Sequence, residues 1–232
     1  MNDKIDDEDH DEFSWEDFAE DREKKTGFLT LKPDKDSFYP AFIACAFMYF
    51  LSLLYWYSDV GQYLWVSYRD IFIEQEYWRI VTSVFIHADI KHFLANVPLF
   101  FIFAWWLYQY YGAVVFPFCS FVLGFLNQVI VLYLYGPGIR ILGASGMLYG
   151  MIALWVVWYI RYDVDHSLKI RYVRAVGFLL VMLVPSTFYP QVSYLAHGIG
   201  FLLGVIFALV LLPVTDNLVE KKIQAVKTNT FH

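Results

Sequence analysis

Gly143-Ala144-Ser145-Gly146-Met147-Leu148-Tyr149-Gly150 runs without a break into Met151–Ile160, which carries no charge. Just upstream lies Gly136-Pro137-Gly138-Ile139-Arg140, rich in turn residues. Ser145 therefore sits where a polar loop enters an apolar helix. That end of a helix has free backbone N–H groups and a partial positive charge, which suits a developing oxyanion. A serine hydroxyl is a weak nucleophile until a base takes its proton. The chemistry of this stretch thus depends on a base supplied at the same depth by another part of the chain.

Working outward, the composition is 59% hydrophobic and 21% aromatic, and the mean hydropathy is +0.46. Ordinary soluble domains are less apolar. Several stretches reach the roughly 20 uncharged residues that cross a bilayer. A bilayer tolerates only helices or closed barrels, and the short alternation of barrel strands is absent. The chain is read as all-α, a polytopic membrane protein of six transmembrane helices. No cleavable signal peptide is expected at its acidic, polar start. Cys45 and Cys119 both fall in expected spans and read as inert packing residues.

Residues 1–37 hold 14 acids against 6 bases, so the net charge of −6 belongs to this tail. A disordered, solvated tail is expected, or a short amphipathic helix around Phe13, Trp15 and Phe18. The membrane domain is expected over 38–214 and a short C-terminal tail over 215–232. Its spans are Phe38–Tyr57, His92–Tyr111, Val114–Tyr135, Ser145–Ile160, Ala175–Phe188 and Tyr194–Leu212. The long connection 58–91 is too charged to span and too apolar to float, which fits a segment lying in the interface. A basic loop, Arg161–Arg174, is expected between the fourth and fifth spans. With six spans both termini share one side, and 13 of the 17 basic residues fall there. The positive-inside rule makes that side cytoplasmic, so Ser145 lies toward the outer face.

Polar residues inside spans are costly and mark sites. His92 and Asn96 begin the second span four residues apart, on one helix face, with His87 just before them. His197, Gly200 and Gly204 share a face at the start of the sixth span, and Gly146 and Gly150 form a matching pair in the fourth. Small residues at this spacing let helices approach closely, which would bring the His197 imidazole to the depth of Ser145. Taken singly, such a serine is an N-cap, such histidines pack, and Gly-xxx-Gly pairs are packing motifs. His87, His92 and His197 could also be metal ligands, but no nearby cysteine or buried carboxylate completes a set. What separates these residues from the ordinary readings is their shared depth.

Together the motifs resemble the rhomboid intramembrane serine proteases. Gly143-Ala144-Ser145-Gly146 is similar to their Gly-x-Ser-Gly, and His87, His92 and Asn96 to their His-x-x-x-x-His-x-x-x-Asn. Ala196-His197 with Gly200 and Gly204 is similar to their Ala-His-x-x-Gly-x-x-x-Gly, and Trp78-Arg79 to the pair in their large first loop. The resemblance covers residues 38–212. It implies a Ser145–His197 dyad acting through an acyl-enzyme, with His92, Asn96 and the Ser145 N–H as the oxyanion hole. It also implies Tyr149 packing on His197 and His87 bracing the loop. The implied substrates are single-pass membrane proteins, entering from the bilayer past the fifth span with residues 188–191 as a cap. No cofactor, metal or nucleic acid is implied.

Many family members carry an acid near the end of the second span that ties down the first loop. Here Trp106–Tyr111 has none, which leaves the anchoring of that loop open and the chemistry intact. A catalytically silent rhomboid-like protein that binds membrane clients is the alternative, although such relatives usually lose the serine or the histidine. A transporter would more often bury an ion-coordinating carboxylate in a span. Six spans without an added one suggest a bacterial cytoplasmic membrane, with a eukaryotic secretory membrane as the alternative.

Overall fold

The computed structural model describes residues 28–31, 34–183 and 193–230. It is a helical membrane bundle. Helix α1 (Tyr39–Tyr57) leads to a first loop containing β1 (Val66–Ser67), α2 (Tyr68–Phe72) and α3 (Trp78–Phe85). Then come α4 (Ile90–Tyr111), α5 (Ser120–Tyr135), β2 (Arg140–Ile141), α6 (Ser145–Tyr162), α7 (Leu168–Leu183), α8 (Tyr194–Val210) and α9 (Leu212–Thr230). A wide helical turn, Val114–Cys119, leads into α5, so that Val114–Tyr135 counts as one span.

Among the described residues, three helices are long and apolar enough to cross a membrane alone: α1, α4 and Val114–Tyr135. Helix α8 and residues 212–225 of α9, bent by 63° at their junction, pass the same test only when taken together as one broken span. Helix α6 has 18 residues, of which twelve are buried, and it packs against α4, α5, α7 and α8. Its neighbours shield it from lipid, so its composition answers to helix packing rather than to lipid solubility. Small residues are what such packing selects.

The sequence reading departs from the structure in three places. The expected basic loop is mostly helix, because α7 begins at Leu168, so Lys169, Arg171 and Arg174 lie in its first two turns. Arg171 donates to the Ile160 carbonyl at 3.1 Å, satisfying the end of α6 where its own ladder stops, and to the His166 carbonyl in the connection at 2.7 Å. The C-terminal tail, for which no secondary structure is expected from the sequence, is helical within α9 as far as Thr230. The end of the N-terminal tail is folded: Phe28 is buried against Tyr110, Tyr111 and Tyr162, and the Tyr110 hydroxyl donates to the Leu29 carbonyl at 2.9 Å. Phe13, Trp15, Phe18, Pro185 and the expected cap at 188–191 lie outside the described residues.

The first loop is anchored without the missing acid. Arg79, only 6% exposed, pairs with Glu76 and donates to the carbonyls of Gln62 and Trp65. Its guanidinium also lies over the rings of Tyr63, Trp65 and Trp78. One planar, permanently charged group thus gathers a loop whose carbonyls have no ladder to join. Replacing Arg79 with alanine should cost about 2 kcal/mol through those charged hydrogen bonds. That is a fall of about 4–8 °C in unfolding midpoint for a chain of this size. Thermal unfolding in detergent measures it, and an unchanged midpoint would remove Arg79 as the anchor.

Candidate active site

Strand β1 pairs antiparallel with β2, Val66 opposite Ile141 and Ser67 opposite Arg140. Arg140 stacks over Trp65 at 4.1 Å. The first loop is therefore joined to the segment that leads into α6. Gly143 is the tightest point of that segment. Its φ of +108° is one that side chains rarely adopt, and its N–H donates to the Ser83 carbonyl at 2.7 Å. A Cβ at Gly143 would also press on the His92 ring at 3.3 Å. The turn thus delivers Ser145 to the first position of α6, half-buried, with His92 against the same turn.

Helices α6 and α8 share the most extensive helix contact among the described residues. A Cβ at Gly200 would overlap the Gly146 carbonyl, and one at Gly204 would overlap the Gly150 carbonyl. Both contacts advance four residues in the same direction, so the two helices run parallel and start at the same end. Glycine is required here because the backbones themselves are in contact.

On this seam the Tyr149 and His197 rings stack, with centroids 3.9 Å apart and planes 14° from parallel. Tyr149 lies one turn after Ser145, and long helical side chains lean back toward the N-terminus. The stack therefore holds the half-buried imidazole on the face of α6 that carries Ser145.

Asp89 caps α4, its carboxylate accepting from the His92 N–H at 2.9 Å. Asn96 donates one amide N–H to the His92 carbonyl at 2.9 Å; an amide has two such protons. His87 is fully buried in the loop before α4. Its backbone N–H donates to Ser52 Oγ at 3.2 Å and its carbonyl accepts from the Trp56 indole at 2.8 Å. Its ring meets those of His92 and Phe93 edge to face. Burial, and then the neighbouring His92, push its pKa down to about 3, so the imidazole is neutral at physiological pH. Trp78, half exposed in α3 of the first loop, lies with its ring under the Arg79 guanidinium.

The amino-terminal ends of α4, α6 and α8 thus gather His92, Asn96, Ser145 and His197 at one end of the bundle. Three positive helix ends also converge there. The Rhomboid domain family matches residues 74–214, well over half of the chain and including every residue just named.

The chain belongs to the rhomboid family.

Its relatives include the RHOMBOID-like protein 1 of Arabidopsis thaliana, 26% identical over 138 residues, 58% of this chain and 35% of that protein. Rhomboid-related protein 1 of Caenorhabditis elegans is 26% identical over 206 residues, 74% of this chain and 54% of that protein. Rhomboid-like protease 3 of Toxoplasma gondii is 29% identical over 147 residues, 61% of this chain and 54% of that protein. The chain spans between a third and just over half the length of these relatives.

Two residues of this rhomboid escaped the sequence reading. Ser52 in α1 is buried and holds the backbone of His87. Asn127 in α5 is buried beside Gly146 and donates to the Ala196 carbonyl. Both are neutral polar residues in apolar spans, which was the available signal.

Proposed function

We propose that this rhomboid is an intramembrane serine endopeptidase that crosses the bilayer six times and cleaves the membrane segments of single-pass proteins. Ser145 Oγ attacks the scissile carbonyl while His197 accepts its proton, forming a tetrahedral intermediate. His197 then gives that proton to the leaving amine, an acyl-enzyme remains, and water releases it by the same steps in reverse roles. The Ser145 N–H, the second amide proton of Asn96 and the His92 ring stabilise the oxyanion. Among the described residues no carboxylate orients the imidazole as in a triad; the Tyr149 ring holds it instead.

The observation that carries this reading is the Tyr149–His197 stack at 3.9 Å, one turn from Ser145. The distribution of basic residues supports cytoplasmic termini and a site open to the outer face. The relatives named above are eukaryotic and give no support to the bacterial membrane expected from the span count.

A fluorophosphonate probe tests the proposal. The purified protein in detergent should be labelled on Ser145, located by peptide mass spectrometry. Heat-denatured protein and the Ser145→Ala variant should stay unlabelled. Wild type that labels no better than denatured protein, and cuts no single-pass test substrate, would point instead to a silent client-binding member of the family.

A further inference from the structure

Helix α5 supplies no residue to the chemistry above, yet it carries a buried carboxamide between α6 and α8, the helices of Ser145 and His197. The Nδ2 of Asn127 donates at 2.8 Å to the carbonyl of Ala196, the residue before His197. The same carboxamide packs against Gly146, the residue after Ser145, where a Cβ would overlap Asn127 Cγ, Oδ1 and Nδ2. One planar group therefore touches the immediate neighbours of both members of the dyad. Within α8 the Ala196 carbonyl already faces the N–H four residues on, so Asn127 is a second donor to it. A carboxamide buried in an apolar span is costly unless its bonds are used.

The glycine seam fixes how close α6 and α8 come, but flat backbone contacts restrain rotation of a helix about its axis only weakly. A directional bond to one carbonyl restrains it. At the ~5–6 Å radius of a helix with side chains, turning it by about 10° moves a ring by about 1 Å. A misplacement of that size can cost about 100-fold in rate.

We propose that Asn127 is a positioning residue, a third-helix strut that fixes the rotation of α8 and so holds the His197 ring over Tyr149 and toward Ser145. The kinetic part of this inference rests on the protease reading; the placement of the ring does not.

The test uses the full chain in detergent, with Asn127→Leu and Asn127→Asp. Asn127→Leu keeps the number of side-chain heavy atoms and removes the donor. It should lower kcat on a single-pass test substrate about 30-fold and leave KM within about twofold. In the wild type, the Tyr149 ring current should shift the His197 ring protons upfield in NMR spectra, and Asn127→Leu should lose that shift. In Asn127→Asp only the protonated carboxyl can donate, so its rate relative to wild type should rise as pH falls.

Wild-type kcat with an unmoved His197 resonance in Asn127→Leu overturns the proposal. So does a loss of unfolding midpoint and activity together in both variants, with no pH-dependent recovery in Asn127→Asp, since that describes a structural bridge only. If the wild type neither cuts nor labels at Ser145, the protease reading falls, and the His197 resonance alone decides whether Asn127 places the ring. Should Asn127→Leu fail to fold, the pH profile of Asn127→Asp decides.

Discussion

Ser145→Ala and His197→Ala are each expected to lower cleavage of a single-pass substrate by on the order of 10³-fold or more, and the double variant should be no slower than the worse single one. The reason is that nucleophile and base act as one unit. An alcohol without its base is scarcely nucleophilic at neutral pH, and a base without the alcohol has no proton to move. The Tyr149–His197 stack holds the imidazole on the face of α6 that carries Ser145, whereas His92, the other imidazole at this end, lies against the Gly143 turn and is assigned to the oxyanion. Steady-state cleavage in proteoliposomes measures this, with unfolding midpoints recorded in parallel. Additive losses in the double variant would mean that the two residues act independently, and the dyad would be abandoned.

The second large effect is expected from Gly200→Leu, which should abolish measurable activity and lower the unfolding midpoint. Even a Cβ at Gly200 overlaps the Gly146 carbonyl, and a carbonyl in a helix cannot swing aside. The helices must part, which costs about 1–3 kcal/mol in a well-packed core, or more. Parting moves His197 away from Ser145. Gly200→Ala should show the same defects in smaller measure. Gly198→Ala is the control: among the described residues nothing lies within 4 Å of an added Cβ, and alanine favours helix over glycine, so both stability and activity should stay close to wild type. Undiminished cleavage by Gly200→Leu would detach the glycine seam from function.

Much of the site was legible because its parts repeat at helical spacing. Gly200 and Gly204 on the face of His197, and Gly146 and Gly150 below Ser145, can be read from a helical period alone. Their depth follows from where apolar runs begin. The anchoring of the first loop was not legible. Arg79 reaches carbonyls of Gln62 and Trp65, and no periodicity records which loop carbonyls a long side chain will find. Nor was the end of the fourth connection, where charged residues suggested a loop. Their aqueous heads can extend from the first turns of a helix while its backbone stays hydrogen-bonded, so charge alone did not mark the boundary of α7.

By itself, the sequence determined that this chain is a bundle of membrane helices with a serine, two histidines and an asparagine at helix starts. Hydropathy and the need to satisfy every backbone group in lipid are local properties, written residue by residue. Only the tertiary structure decided which of the polar groups meet: Tyr149 on His197, Asn127 between Gly146 and Ala196, Phe28 against the base of the bundle. Those contacts depend on how each helix is rotated and how closely it approaches its neighbours, and residues distant in the chain set that jointly.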